Sequence, residues 1–198
     1  MKIGVLDIQG SVEEHLAILQ NLGENPVAVK TKADLAKVSG LIIPGGESTT
    51  IGKLLAHYGL SEEIARRAQE KSLTIWGTCA GAILIAKKVI NRPPQNMALM
   101  DITIKRNAYG RQIDSFKTPV SIPILGATPF QAVFIRAPQV KVASAKAKVL
   151  AKYGKKPIMV RQNNLLATMF HPELTTDGRI HKYFIKMTQE YVSKKSKN

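Results

Sequence analysis

The single cysteine of the chain, Cys79, lies in TIWGTCAGAIL between Gly77 and Gly81, where an apolar run gives way to small residues. Cysteine often serves only as a small buried hydrophobe, so a thiol packed among glycines is one reading of the position. The pattern G-x-C-x-G between a strand-like and a helix-like segment supplies another. It is the spacing of a nucleophile elbow with sulfur in place of oxygen. Small flanking residues permit the tight turn that lifts a side chain above the carboxyl edge of a sheet. The helix that follows then directs its first amides and positive dipole end at the sulfur, which favours the reactive thiolate.

A thiolate that expels an amine needs a proton donor, and the donor needs an orienting group. Four histidines are available. His15 and His57 fall within amphipathic helical patterns and read as helix-surface residues, and His181 belongs to the last helix. His171 differs: it directly follows a strand-like run in ATMFHPEL, and the rigid Pro172 holds its imidazole and the Glu173 carboxylate in a fixed relation. A carboxylate accepting from one ring nitrogen fixes the tautomer and stabilises the imidazolium. Cys79, His171 and Glu173 therefore form a candidate triad.

Acyl transfer also needs donors for an oxyanion. IIPGGEST (residues 42–49) places two glycines after a strand-like run, in a turn able to aim backbone N–H groups into the same cleft. A phosphate-binding loop is the rival reading, and it fails: the interval from Gly46 to Gly52 is one residue too long, and Lys53 is followed by Leu54 rather than Ser or Thr. Metal-ligand spacing is missing as well, with one cysteine, scattered histidines and no H-E-x-x-H.

The elements that must position these residues alternate. KIGVLD (residues 2–7) is a short apolar run, after which Ser11 and Glu14 have capping-box spacing ahead of Val12, Leu16, Leu19 and Leu22, with Gly23 as the stop. NPVAVK and GLIIPGG are further strand candidates. Helical spacing returns at Ile51, Leu54, Leu55 and Tyr58 and stops at Gly59; Ser61 then caps a helix expected to reach about residue 71. LTIW (residues 73–76) reads as another buried strand. This alternation predicts right-handed crossovers and a parallel sheet covered on both faces. From about residue 100 to 170, short runs broken by GATP, YGKK and QNNL predict antiparallel strands and hairpins added to that sheet. A last amphipathic helix spans about residues 178–192.

With 198 residues, 44% of them hydrophobic, the chain can bury a substantial core, and no repeat or linker divides it. One domain over residues 1–198 is expected. A lone cysteine cannot form an intramolecular disulfide, and Asp7 interrupts the apolar run a signal peptide would need, which together point to the cytoplasm. No apolar run approaches the roughly 20 residues that span a bilayer. The charge, 29 Lys plus Arg against 14 Asp plus Glu, is +15. It raises nucleic-acid binding as a hypothesis, yet the basic residues are scattered. The densest stretches, residues 141–156 and 194–198, interleave a single aromatic, Tyr153, and no nucleic-acid motif accompanies them. A solvated basic face is the better reading, and an acidic protein partner could use the same surface.

Six motifs occur in order: LDIQGS, PGGEST, GTCAGAI, RNAYGRQIDSF, VFIRAP and FHPELT. The chain resembles the class I, triad-type glutamine amidotransferases, and within them the family of glutaminase subunits of the two-protein pyridoxal 5'-phosphate synthase. The resemblance runs from about residue 2 to 192. It implies a flavodoxin-like α/β three-layer sandwich around a mostly parallel sheet with added antiparallel strands in the second half. Carried onto this sequence, it implies Cys79 as nucleophile, His171 as general base and acid, and Glu173 as its orienting carboxylate. Gly46 and Ala80 would supply oxyanion-hole amides, and Gly46, Glu47, Ser48, Arg106, Ile135 and Arg136 would line the L-glutamine site. No cofactor or metal is implied. The implied partner is a (β/α)-barrel synthase subunit that receives the ammonia in a hetero-oligomer; neither a membrane nor nucleic acid is expected. A stand-alone γ-glutamyl hydrolase would share the elbow and the histidine, and a non-amidotransferase on a related fold would not need Glu173.

Overall fold

Strands β1 (Ile3–Leu6), β3 (Gly40–Ile43) and β4 (Thr74–Thr78) are buried along their whole length, as expected of central strands with no wet face. The computed structural model describes residues 1–91, 94–106 and 115–195. In chain order the first half is β1, α1 (Val12–Asn21), β2 (Val27–Val29), α2 (Lys32–Ala36), β3, α3 (Ser48–His57), α4 (Leu60–Gln69), β4 and α5 (Ala80–Ile85). The second half is β5 (Ala86–Ile90), β6 (Met100–Lys105), β7 (Ser115–Val120), β8 (Phe130–Ile135), β9 (Gln139–Ala143), β10 (Lys148–Tyr153), β11 (Lys156–Gln162), β12 (Leu165–Thr168) and α6 (Arg179–Lys195).

The main sheet has the order β10-β11-β12-β4-β3-β1-β2. Its strands from β2 to β12 are parallel, with Ile42 beside Trp76 and Thr168 beside Thr78, while β10 and β11 continue it as antiparallel hairpins. The expectation of a mostly parallel sheet with antiparallel additions therefore holds, with one refinement. Not every strand of the second half joins it: β5, β6 and β9 form a small sheet of their own, and among the described residues β7 pairs only with β8. The turns YGKK and QNNL are the two hairpins, carried by Gly154 at φ 56° and Asn163 at φ 52°.

Strand alternation sorts the helices into layers. Trp76 and Thr78 point toward α1 and α6, where Trp76 meets the rings of His15, His181 and Phe184. Gly77 points the other way, directly onto α5.

Several local expectations need correction. Ser11 is the N-cap of α1 but makes no side-chain capping bond, so the capping box with Glu14 does not form. The helix expected to start at Ser61 is capped by Gly59, in the left-handed region at φ 62°. The capping box that does form, Thr31 with Asp34, opens the short α2, which has too few turns to show periodicity. Tyr153 packs near Phe116 and Phe134, so the aromatic within the basic stretch supports the hairpin. Most of RNAYGRQIDSF, residues 107–114, and residues 196–198 of the basic tail lie outside the described residues.

Candidate active site

The candidate triad and the glycine turns follow the carboxyl ends of four adjacent strands, while Arg106 follows β6 and Ile135 and Arg136 close β8. Gln9 and Gly10 follow β1, Pro44-Gly45-Gly46 follows β3, Cys79 follows β4, and His171 follows β12. The chain winds from β1 outward to β2 and, in the other direction, to β3, so the crevice of such a sheet opens beside this edge.

The turn at Cys79 is strained, with φ 46° and ψ −99°, values that a non-glycine residue keeps only when its surroundings impose them. The flanking glycines show how. A Cβ on Gly77 would overlap the backbone of Gly81, and one on Gly81 would overlap the Ile43 carbonyl. The backbone N–H of Cys79 is further tied to the Thr168 carbonyl at 2.8 Å. The elbow thus exists because strand, turn and helix approach more closely than any side chain allows.

His171 is fixed from both ends. Its backbone N–H donates to the Val133 carbonyl at 2.8 Å, and its Nδ1 lies 2.7 Å from Glu173 Oε1. Burial opposes a charge on this ring, but hydrogen bonds to Cys79 and Glu173 outweigh it and push its pKa up to about 10. The site therefore favours the imidazolium form. The Cys79 Sγ lies 3.9 Å from the Ile135 carbonyl oxygen. Glu173 is buried behind the histidine, with its second oxygen, Oε2, 3.5 Å from His15 Nε2.

The glycine turn after β3 is held by the segment after β1. Ser11 N–H donates to the Gly45 carbonyl at 3.0 Å, and Gln9 Oε1 accepts from Glu47 N–H at 2.9 Å. Because a peptide is planar, the Ser11 bond also fixes the opposite direction for the Gly46 N–H. A side chain on Gly45 would collide with the His171 ring, and one on Gly10 with the Gly45 carbonyl. Ala80 opens α5, so its N–H has no acceptor within the helix.

These pieces surround a cavity of about 480 Å³. Cys79, Ala80, His171, Gly46, Glu47, Ser48, Arg106, Ile135 and Arg136 all line it, together with Gly10, Ser11, Glu14, Gly45 and Ile83; Glu173 stands behind His171. Glu47 caps α3, accepting from the N–H groups of Thr49 and Thr50. Burial raises its pKa, yet those donors and the hydroxyls prevail and hold it at about 2. Its carboxylate also pairs with Arg106 Nη2 at 3.1 Å, while Arg106 Nη1 reaches Thr49 Oγ1 at 3.3 Å. Arg136 sits at φ 41°, the second non-glycine residue of the site, after Cys79, in the left-handed region.

His15, which reads as a helix-surface residue in the sequence, and His181 of the last helix are central here. His15 and His181 are fully buried, with His15 Nδ1 2.9 Å from His181 Nε2. The available signal was register: His15 continues the buried stripe of Val12, Ile18 and Leu19, and His181 lies in that of Ile180, Phe184 and Ile185. Among the described residues no group of three His, Cys, Asp or Glu side chains is placed to hold a metal, and no helix is long and apolar enough to cross a membrane.

A thiol at a strained elbow, an imidazole beside it and a buried carboxylate behind it make the arrangement that thiol-dependent acyl transfer uses. The model of the SNO glutamine amidotransferase family matches residues 5–190. A pyridoxal 5'-phosphate synthase subunit PdxT from Kosmotoga olearia is 49% identical, over 94% of this chain and 97% of its own length. Its counterpart from Pseudothermotoga lettingae is 52% identical over 94% and 95%. A crystal structure described as a glutamine amidotransferase superposes with a TM-score of 0.90 at 43% identity, covering 94% of this chain and 98% of the other. The chain belongs to the SNO glutamine amidotransferase family.

Proposed function

We propose that this protein is the glutaminase subunit of a pyridoxal 5'-phosphate synthase, hydrolysing L-glutamine to L-glutamate and ammonia through a thioester on Cys79. The observation that carries the reading is the His171 to Glu173 contact of 2.7 Å beside Cys79, in a cavity with room for an amino acid. Family membership and relatives named as subunits of that synthase support the substrate and the assembly.

In the proposed reaction the Cys79 thiolate attacks the side-chain carboxamide carbon, and the carbonyl electrons move to oxygen. Amides of Gly46 and Ala80 receive the oxyanion. The tetrahedral adduct collapses with cleavage of the C–N bond, and the His171 imidazolium gives its proton to the departing nitrogen, which leaves as ammonia. The now neutral His171 takes a proton from water as that water attacks the thioester. Loss of thiolate yields glutamate and restores the ion pair. Glu173 keeps the imidazole oriented and its charged form stable. Arg106 and Arg136 provide cations for the α-carboxylate of glutamine, with Glu47, Ser48 and Ile135 completing the site. Glu47 already balances Arg106, so substrate carboxylate would share that guanidinium.

Residues 1–198 act as one domain in this reading, which is supported by a hydrophobic cluster continuous from Ile3 to Met187. The ammonia passes to a (β/α)-barrel synthase in a cytoplasmic hetero-oligomer. Docking on the segment from Asp7 to Ser11 gives that partner control, because Ser11 holds the Gly45–Gly46 peptide that presents the Gly46 N–H and Gln9 holds the peptide that follows it. Glycines make rotation of those peptides inexpensive.

The test is release of ammonia and glutamate from glutamine, by the protein alone and with the synthase subunit added. Slow turnover alone and marked acceleration by the partner are expected. Full activity without partner removes the docking switch, and turnover of γ-glutamyl peptides in preference to glutamine overturns the assignment.

A further inference from the structure

We propose that His15 and His181 form a buried relay that positions the Glu173 carboxylate, with His181 Nε2–H donating to His15 Nδ1 and His15 Nε2–H turned toward Glu173 Oε2. The proposal rests on the role given to Glu173 above and adds the layer that holds it.

The direction of the relay follows from one atom. Among the described residues His181 Nδ1 is buried without a hydrogen-bond partner. A buried N–H left unpaired is rarer and costlier than a bare acceptor, so Nδ1 is the deprotonated nitrogen and Nε2 carries the hydrogen. That hydrogen points at His15 Nδ1, 2.9 Å away. His15 Nδ1 must then accept, which leaves its hydrogen on Nε2. There it faces Glu173 Oε2 at 3.5 Å and Thr78 Oγ1 at 3.4 Å. The alternative tautomer would set a lone pair against a buried carboxylate and strand an N–H at His181. At 3.5 Å the His15 contact is longer than a full hydrogen bond, so among the described residues Glu173 Oε2, like His181 Nδ1, is buried without a hydrogen-bond partner, and such catalytic contacts commonly tighten when substrate is bound.

The surroundings keep the relay neutral. Burial, followed by the neighbouring charges of His181 and His171, holds His15 well below its ordinary pKa, and burial alone lowers His181 to about 3. Trp76 closes the layer, edge-on to both rings. The groups facing Glu173 are therefore His171 from the turn after β12 and His15 from α1. Behind His15 stand His181 from α6 and Thr78 from β4. The charged groups on the cavity side are Glu14, Glu47, Arg106 and Arg136. His15 thus backs the Oε2 side of the carboxylate whose Oε1 holds His171 Nδ1, so the relay fixes the orientation in which Glu173 meets the imidazole.

The experiment compares His15→Met with His15→Gln, which have similar shapes but differ in the N–H, in the complex with the synthase subunit. The Met variant is expected to lose about tenfold in kcat with KM for glutamine unchanged. The alkaline limb of its pH profile, which reports His171, should move down, because a displaced Glu173 supports the imidazolium less well. The Gln variant should recover most of that loss. A residue that merely fills space would lower the melting temperature of both variants alike and leave the pH profile in place, which would overturn the proposal. Should the Met variant fail to fold, long-range 15N correlation spectra of the wild-type imidazoles decide. Nε2–H at both His15 and His181 is the expected result, and Nδ1–H at either refutes the relay. A wild-type complex inactive on glutamine would count against the functional reading alone, because the tautomers are read without turnover.

Discussion

On the cavity side of the site, hydrogen bonds to Cys79 and Glu173 overcome burial and hold His171 at about 10, while on the core side burial brings His181 down to about 3. The same side chain is thus an acid in one layer and a neutral strut in the next. The difference lies in what each ring meets. His171 meets a thiol and a carboxylate, whereas His181 meets another histidine and the edge of Trp76. A buried charge is tolerated only where compensating groups are fixed in advance. The strained elbow and the glycine turn do that fixing for the cavity side alone.

Removing the thiol should break the comparison most completely. Cys79→Ala is expected to abolish ammonia release while leaving the fold and partner binding intact, since a small side chain fits the turn; near-normal turnover would take Cys79 out of the mechanism. Glu173→Gln keeps the shape but removes one of the two partners, with Cys79, that support the His171 imidazolium, and kcat should fall on the order of hundreds-fold. An unchanged rate between pH 6 and 9 would contradict an orienting role. Arg106→Ala and Arg136→Ala, at the outer wall, should raise KM for glutamine more than they lower kcat, by about tenfold. Equal loss in both constants would say that they do not grip the unreacting end.

A separate effect concerns stability, and its sign differs between the layers. His181 has a lowered pKa, so below about pH 6.5 the unfolded chain binds the extra proton. Stability should then fall toward about pH 3, by up to about 1.4 kcal/mol per pH unit. His171 has a raised pKa, so its contribution is complete below about pH 6.5 and is lost as pH rises through about 10. Denaturant melts of His181→Gln should flatten only the acid side. An acid slope equal to that of the wild type would show that His181 is not the group being titrated.

The cavity side was legible in the sequence because its determinants are local. Gly77 and Gly81 flank Cys79, Pro172 separates His171 from Glu173, and Pro44-Gly45-Gly46 follows an apolar run. The core side was not. Whether His15 on α1 and His181 on α6 face solvent or each other depends on two helices packing on the same face of the sheet, and neither helix encodes that alone. For the same reason Ser11 and Glu14 have the spacing of a capping box while Ser11 N–H serves the Gly45 carbonyl across the site. The small β5-β6-β9 sheet escaped because period-two alternation identifies strands and not their partners.

The central claim is that Cys79 attacks the carboxamide carbon of glutamine held in this cavity. The most direct measurement is labelling by a glutamine analogue that carries a chloromethyl ketone in place of the carboxamide, with the modified residue located by peptide mass spectrometry. One equivalent attached to Cys79, complete loss of glutaminase activity and protection by glutamine are predicted. Inactivation with the label on another residue, or labelling that glutamine does not slow, would contradict the account.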